Sequence, residues 1–314
     1  MLNESLLLFQ PNPNREELTI GIVYSTLAGC AIPLYVPILY VMFTDKEITS
    51  NPQYRLMNQI NFADFGQAIF HFLSGIYIMF PQIQVQYQVW VRISGCTTNS
   101  LWLAMFPIMS VLSITRILVI QEVISPKTTH IGLKVAMVIG WLYTIGVWLW
   151  GCITQNFILD GVGWTYDLSK LGAATLSALE WYLCFPSLGI TYIAYVIIVL
   201  HVHATRRSMS STSNRQEVKI FLQSTFLCVY MVTLITMWHN AEKWFEMSNV
   251  TIAILNSAWI CFSYLNPLLL LALNRTIRVK VFRVIGGKVR QVSIHNLSVA
   301  SKQTRQKNNT ISQT

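Results

Sequence analysis

Seven long apolar runs, separated by short polar stretches, constrain this chain more than any other feature of its sequence. Each run is close to the roughly 20 residues that a helix needs to cross the hydrocarbon core of a bilayer. Backbone polar groups in lipid must be satisfied within the segment itself, which favours helices. We therefore predict an all-α polytopic membrane protein, a seven-transmembrane helix bundle, with spans at residues 20–43, 57–79, 93–115, 135–154, 172–200, 219–241 and 250–273.

The placement of basic residues predicts how the bundle is oriented. Only 11% of the residues are charged, and the single Lys or Arg within the bounds of a predicted span is Lys219, the first residue of span 6. Basic residues are enriched on the cytoplasmic side of membrane proteins. We therefore expect a plasma-membrane protein with an extracellular N-terminus and a cytoplasmic C-terminus. The pI of about 9.3 then reflects this topology and does not indicate a nucleic-acid partner. The cytoplasmic face then carries 18 basic residues and the other face carries 4, namely Arg15, Arg92, Lys170 and Lys243.

The segments outside the spans are short, which divides the chain into three predicted regions. These are an extracellular N-terminus at residues 1–19, a seven-transmembrane domain at 20–285 and a disordered cytoplasmic tail at 286–314. The first region carries a glycosylation sequon at Asn3. After span 7, Ile277, Val281 and Val284 recur at helical spacing among basic neighbours. This pattern predicts a short amphipathic helix in contact with membrane lipid.

Asp64 is the one carboxylate that we expect deep in the bundle, where it needs a partner or a proton. Asn266 lies at a similar depth from the same face, counted at 1.5 Å per residue. Two interpretations stay open: a hydrated pocket with a small cation such as sodium between spans 2 and 7, or a direct hydrogen bond between the helices. Pro267 lacks a backbone N–H and is expected to kink span 7, which frees carbonyls to join the same network.

Arg116 ends span 3 and has two interpretations. A snorkelling side chain would reach the membrane interface, whereas a switch residue would rearrange together with the inner halves of the helices. We group it with Asp64, Asn266 and Pro267 as a candidate signalling switch. Cys96 and Cys152 lie near the outer ends of spans, so that a disulfide between them and two separate small helix residues are both compatible with the sequence.

Aromatic and polar side chains gather in the outer halves of spans 3, 5, 6 and 7. Aromatic walls with a few polar groups suit a small, mostly apolar molecule, although tryptophans also collect at membrane interfaces. A carboxylate among them, Glu180, could bind an amine. The candidate ligand-binding residues are Trp102, Met105, Glu180, Trp181, Trp238, His239, Asn256 and Trp259.

Taken in order, several of these residues resemble the motifs of the rhodopsin-like G-protein-coupled receptors. The segments AIPLYVPILYVMFTDKE, YRLMNQINFADFG and LALNRTIR are similar to those of nematode serpentine chemoreceptors, closest to the Srt and Srx groups, over about residues 20–285. The chain departs from the wider pattern at Thr115, where an acid usually precedes the arginine, and at Leu270, where a tyrosine is usual. The matching positions are Asp64, Arg116, Trp141, Pro186 and Asn266-Pro267.

This resemblance implies a chemosensory receptor that binds a small molecule between the helices and activates a heterotrimeric G protein. It implies that Arg116 and the inner ends of spans 3, 5 and 6 form the coupling surface. A sensory cilium is one place where such a receptor would act, and a homo- or hetero-oligomer is compatible with the sequence. No cofactor is expected, and no metal is expected apart from the sodium considered at Asp64.

A channel or a transporter is the alternative function, because Asp64 and Asn266 could line an ion path. An enzyme is not expected, since the sequence contains neither H-E-x-x-H nor G-x-S-x-G. A retinal-binding pump would need a lysine in the interior of a span for its Schiff base, and the predicted spans contain only Lys219, at the very start of span 6. The receptor and the channel differ in their output, which is nucleotide exchange on a G protein in one case and current in the other.

Overall fold

The computed structural model describes residues 8–125, 130–204 and 211–286, without the side chains of residues 202 and 211–224. The predictions of a glycosylated Asn3 and of a disordered tail beyond residue 286 therefore fall outside the described residues. Short connections make consecutive helices antiparallel neighbours. The seven long helices are α1 Arg15–Thr44, α2 Pro52–Met79, α3 Gln88–Ile120, α4 Ile131–Thr154, α5 Ala173–Ala204, α6 Ser211–Trp244 and α7 Asn249–Leu273. A shorter helix, α8 Arg275–Val284, follows α7. Two short helices, Lys46–Thr49 and Pro81–Gln86, lie in the connections.

Each of the seven predicted spans coincides with one of these long helices. Within the described part of the chain, five of them, α1, α3, α4, α5 and α7, are long and apolar enough to cross a membrane by length and composition. Helix α2 differs because polar side chains recur every three or four residues along it, which places them on one helical face. That face is turned into the bundle, since all of its members are buried, namely Asn58, Asn61, Asp64, Gln67, His71 and Ser74.

Polar capping residues fix where several helices begin. The Asn14 side chain accepts a hydrogen bond from the backbone N–H of Glu16 at 3.0 Å, at the start of α1. Asn274 both ends α7 and begins α8, where its side chain accepts from the N–H of Ile277 at 3.1 Å. Such caps satisfy backbone donors that have no partner within the helix. The polar Asn274 therefore turns the chain from one helix into the next.

A two-stranded antiparallel hairpin, which the sequence analysis did not predict, joins α4 to α5. Its strands are β1 Phe157–Asp160 and β2 Gly163–Tyr166, and Asp160 pairs with Gly163 across a two-residue loop. Gly161 begins that loop with φ of +54°, a conformation that glycine adopts without strain. The sequence analysis expected only that this connection is short, and the structure adds a hairpin to it. The hairpin marks one end of the bundle, the hairpin end, and α8 marks the other, the α8 end.

Two side-chain contacts fasten the hairpin to the helices. The Tyr24 hydroxyl of α1 donates to the carbonyl of Val162 in the hairpin loop at 3.0 Å. Just beyond β2, the Asp167 carboxylate accepts from Arg92 of α3 at 3.0 Å. A hydrogen bond from Ser169, together with the one from Arg92, lowers the pKa of Asp167. The carboxylate is therefore ionised at neutral pH, and it fixes the chain between the hairpin and α5.

Helix α8 is amphipathic, as predicted, and packs one face against the bundle. Ile277 and Val281 are buried, whereas the third apolar residue of the predicted stripe, Val284, is 48% exposed. Burial of such side chains stabilises the docked helix, at roughly 25 cal/mol per Å² of apolar surface removed from water. The buried residues that surround this face are Ile38, Val41, Met42, Ile48 and Leu270.

An ion-pair triad adds a polar tether between α8 and the first connection at the α8 end. The Lys280 ammonium lies 2.5 Å from Asp45 Oδ1 and 2.7 Å from Glu47 Oε2. Asp45 also caps the short helix Lys46–Thr49, accepting from the N–H of Glu47 at 3.0 Å. The hydrogen bond from Lys280 is the main cause that lowers the pKa of Asp45 below its ordinary value of 3.8.

Acidification is expected to weaken this tether. Because the pKa of Asp45 is lower in the folded protein, its contribution is present above pH 3.8 and disappears as the pH falls through the lowered pKa. The triad is partly exposed, so that we expect no more than about 1 kcal/mol of stability from it. Thermal denaturation at several pH values should show Asp45→Asn less stable than wild type near neutrality, with the two curves converging as the pH falls through the lowered pKa of Asp45. A difference of the same size at every pH would contradict this assignment, and Glu16→Gln, at an exposed carboxylate of α1, is the control.

Candidate ligand-binding site and switch

A small cavity, called here the deep cavity, lies inside the hairpin end of the bundle. Its volume is about 20 Å³, which is enough for a single water molecule. Four helices and the first strand of the hairpin contribute to its walls, and most of the lining side chains are aromatic or aliphatic. The lining residues are Asn99, Trp102, Phe157, Glu180, Leu234, Ile235, Trp238 and Trp259.

Glu180 is the polar centre of the deep cavity. Its Oε1 accepts from the indole N–H of Trp102 at 3.0 Å, and its Oε2 accepts from the Tyr166 hydroxyl at 2.9 Å. Tyr166 in turn accepts from the Asn99 amide at 2.8 Å. Glu180 is only 6% exposed, so the expectation that Asp64 is the single deep carboxylate is wrong. A buried carboxylate needs such donors, and here they tie the hairpin to α3 and α5.

A second and larger cavity, called here the vestibule, opens between β2, the end of α6 and the start of α7. Its volume is about 280 Å³. Trp238 lines both the vestibule and the deep cavity. The lining residues of the vestibule are Asp160, Gly163, Trp164, Thr165, Trp238, Glu242, Met247, Ile252, Leu255 and Asn256.

The structure divides the eight candidate ligand-binding residues into three groups. Trp102, Glu180, Trp238 and Trp259 line the deep cavity, and Asn256 joins Trp238 in the vestibule. The other three, His239, Met105 and Trp181, line neither cavity. The Nε2 of His239 lies 3.8 Å from Glu180 Oε2, Met105 accepts a hydrogen bond from Gln67 at 3.1 Å, and Trp181 packs edge-on against His239 with the ring centroids 5.3 Å apart.

At mid-depth, Asp64 and Asn266 meet between α2 and α7 as the sequence analysis expected. The Asn266 amide donates to Asp64 Oδ2 at 2.6 Å, and Asp64 is fully buried. This geometry is the direct interhelical hydrogen bond, one of the two interpretations that the sequence left open. The sodium ion considered at Asp64 stays a prediction.

Tyr35 of α1 completes this node in a way that Pro267 explains. Proline has no N–H, so the carbonyl four residues earlier, that of Ser263, loses its donor within the helix. The Tyr35 hydroxyl donates a hydrogen bond to that carbonyl. Tyr35 is completely buried. The weak point that proline creates in α7 is therefore held by a side chain from α1.

Arg116 points into the bundle at the α8 end, so the snorkelling interpretation does not describe it. One guanidinium nitrogen donates to the Tyr195 hydroxyl of α5 at 2.8 Å, and the other lies 3.7 Å from the sulfur of Met57 on α2. The guanidinium carbon is 5.6 Å from the centroid of the Tyr195 ring, a cation–π distance. Arg116, Tyr195 and Asn266 line a cavity of about 50 Å³, called here the Arg116 cavity.

Aromatic contacts extend from the deep cavity along α7 towards the Arg116 cavity. The rings of Trp238 and Trp259 are 5.4 Å apart between centroids, and Trp102 lies 5.7 Å from Trp259. Phe262, one turn further along α7, is 5.5 Å from Trp102 and 5.7 Å from Tyr230 of α6. The first three pairs are edge-on, which is favourable at these distances, and the Phe262–Tyr230 pair is tilted, with 36° between the ring planes. Helices α3, α6 and α7 thus share one aromatic cluster between the two cavities.

Cys96 and Cys152 are free thiols in this structure and lie beside each other. Cys96 is buried and Cys152 is half-buried. The disulfide between them stays a prediction.

Sequence reasoning missed Asn99, Tyr166, Gln67 and Tyr35, and two signals were available for some of them. The Asp160-Gly161 pair between apolar residues is a hairpin signal, and it would have brought Tyr166 into view. The polar residues of α2 recur at helical spacing, which indicates a buried polar face that includes Gln67. Its amide oxygen accepts from the indole of Trp259 at 3.0 Å. Asn99 and Tyr35 have no comparable signal, because their roles depend on the helices that they face.

Comparison with known proteins agrees with this architecture. A family model described as serpentine type 7TM GPCR chemoreceptor Srt matches residues 9–294. Among solved structures, the crystal structure of squid rhodopsin is similar at a TM-score of 0.65 and 15% sequence identity, over 88% of this chain and 87% of that chain. No curated protein is similar to this chain at a significant level. The predicted seven-transmembrane bundle is confirmed, and the resemblance to rhodopsin at this identity concerns the fold alone.

Proposed function

The chain belongs to the Srt family of serpentine seven-transmembrane chemoreceptors, and from this premise we propose that it is a chemosensory receptor that activates a heterotrimeric G protein. A small molecule enters from the hairpin end, and the signal leaves at the α8 end. The hairpin end is then extracellular and α8 is cytoplasmic in the plasma membrane, in agreement with the excess of basic residues at the α8 end.

The observation that carries this proposal is the arrangement of two cavities along one face of α7. Trp259 lines the deep cavity and Asn266 lines the Arg116 cavity, with Phe262 between them. Their spacing of three and four residues places the three side chains in one row. Movement of Trp259 by a ligand is therefore transmitted along α7 to the helix around Pro267.

The coupling surface in this proposal is the α8 end around Arg116. Its guanidinium joins α3 to α5 through Tyr195. The acid that usually precedes the arginine in related receptors is Thr115 here, whose hydroxyl donates to the backbone carbonyl of Val111 at 2.6 Å. A hydroxyl partner holds arginine less strongly than a carboxylate does. We therefore expect the contact between α3 and α5 to change readily when the G protein binds.

The test is nucleotide exchange on a purified G protein, with an agonist found by screening cells that express a promiscuous G protein. Arg116→Gln should reduce agonist-stimulated exchange by about tenfold or more, because charge-assisted hydrogen bonds at this end are lost. Agonist binding should persist, since the cavities at the hairpin end are far from Arg116. Lys134→Gln removes an exposed positive charge at the same end and serves as the control.

The outcome also separates the receptor from the channel alternative. An agonist-gated current in cells with blocked G proteins, together with unchanged exchange in Arg116→Gln, would contradict the proposal. Against an ion path at Asp64, this carboxylate is fully buried and its Oδ2 accepts a hydrogen bond from Asn266.

A further inference from the structure

The vestibule is acidic, aromatic and large enough for a small organic molecule. Its described lining contains the carboxylates of Asp160 and Glu242 and no lysine or arginine. The indoles of Trp164 and Trp238 form part of its walls. Its volume of about 280 Å³ is close to the lower end of the range in which proteins bind small ligands. Carboxylates with aromatic faces are the groups that attract organic cations.

A buried amide in the vestibule lacks a hydrogen-bond donor. Asn256 is only 2% exposed, and its Nδ2 donates to the carbonyl of Ile252 at 3.0 Å. Its Oδ1 is buried and has no partner among the described residues. A buried acceptor without a donor costs free energy that an N–H group from a ligand would recover. This feature is independent of the two exposed carboxylates and indicates a ligand that donates hydrogen bonds.

We propose that the vestibule binds a small organic cation with at least one N–H donor, of the chemical class of protonated primary amines. The carboxylates of Asp160 and Glu242 surround the charge, and Asn256 Oδ1 accepts an N–H. The apolar part of the ligand rests on Trp238. This inference rests on the proposed receptor function and names the ligand class for it.

The deep cavity offers less to such a cation than the vestibule does. It holds about one water molecule, and both oxygens of Glu180 already accept hydrogen bonds from Trp102 and Tyr166. A cation there would have to displace donors that are in place. The vestibule has free carboxylates and a free acceptor, and its contact with Trp238 gives a bound ligand access to the aromatic cluster.

Binding to the purified receptor in lipid nanodiscs, measured by calorimetry, tests the proposal with a matched set of probes. The set consists of 2-phenylethylamine, its trimethylammonium analogue without N–H, the neutral 2-phenylethanol and the anion 3-phenylpropionate. We expect the primary amine to bind most tightly and the anion not to bind. The double variant Asp160→Asn/Glu242→Gln should weaken amine binding by about tenfold and remove its salt dependence. It should leave 2-phenylethanol unaffected.

Two further variants make the test specific. Asn256→Ala should weaken the primary amine and not the trimethylammonium analogue, because only the former donates an N–H to Oδ1. Glu16→Gln, which removes an exposed carboxylate at the start of α1, should change nothing. The proposal is overturned if no cation of the set binds, if the anion or the alcohol binds as well as the amine, or if amine binding depends on Glu180 and not on the vestibule carboxylates.

This assay contains no G protein, so its result is distinct from that for the receptor function. Amine binding in the vestibule without nucleotide exchange would contradict the receptor proposal and leave the site standing. Exchange that is stimulated only by neutral or anionic ligands would support the receptor and reject the vestibule as a cation site.

Discussion

Replacing Gly75 by alanine is expected to destabilise the protein by about 3 kcal/mol, because α1 and α2 cross in direct backbone contact at this position. A Cβ at Gly75 would stand 2.6 Å from the carbonyl oxygen of Gly21 and 2.7 Å from the backbone nitrogen of Ser25. Both are backbone atoms of α1, so the clash with the new Cβ cannot be relieved by rotating a side chain. Close approach at small residues is a common basis of helix association in membranes. Thermal denaturation in detergent should show a loss of at least about 5 °C.

Gly146→Ala is the matched control on α4. A Cβ at Gly146 meets nothing within 4 Å, and the residue is exposed. Alanine is favoured over glycine within helices by roughly 0.5–1 kcal/mol. The two identical changes should therefore act with opposite signs, one strongly destabilising and the other neutral or slightly stabilising. Equal denaturation temperatures for both variants would show that α1 and α2 do not pack as closely as described.

Tyr35→Phe is expected to weaken the hinge of α7 by about 1–3 kcal/mol. The ring and its packing remain, but the Ser263 carbonyl, which Pro267 deprives of its helical donor, loses the hydroxyl that satisfies it. If α7 rearranges at Pro267 during activation, the resting arrangement is the one that this bond stabilises. Basal nucleotide exchange should then rise, because a loss of about 1.4 kcal/mol in the stability of the resting arrangement increases the active population by up to tenfold. Denaturation and exchange without agonist measure the two effects.

Tyr40→Phe on the same helix is the control for this prediction. Tyr40 is 55% exposed, so that its hydroxyl has access to the surroundings of the bundle. The same atom is removed in both variants, and only the variant at Tyr35 should change stability and basal exchange. Identical behaviour of the two would mean that the hydroxyl of Tyr35 does not restrain α7. Loss of stability without a rise in basal exchange would limit Tyr35 to a structural role.

The positions of the helices follow from local properties of the sequence. Membrane spans need long apolar runs, and helix ends need capping residues, both of which are features of adjacent residues. Helix α8 illustrates this, because the helical spacing of Ile277, Val281 and Val284 after the last apolar run was enough to predict it. Asp64 and Asn266 could also be paired in advance, because a buried carboxylate requires a partner and few polar residues lie at that depth.

The residues that line the cavities could not be predicted from the sequence in the same way. Four of the eight candidate residues line the deep cavity, but His239, Met105 and Trp181 line neither cavity at the hairpin end. An apolar or aromatic residue in a span satisfies its local requirements whether it faces lipid, another helix or a cavity. Which of these it faces depends on how each helix is rotated, and that is set by its contacts with all of its neighbours.

The sequence by itself therefore determined the seven-helix membrane architecture, the amphipathic α8 and the polar pair between α2 and α7. The length of the apolar runs and the capping residues are local features of the chain. The cost of burying a charge leaves few possible partners for Asp64. Only the tertiary structure decided that Tyr35 satisfies the carbonyl freed by Pro267, that Tyr166 of the hairpin binds Glu180, and that Arg116 meets Tyr195. These contacts join residues that are 14 to 228 positions apart in the chain. Their partners are selected by helix rotation and crossing, which no short stretch of sequence encodes.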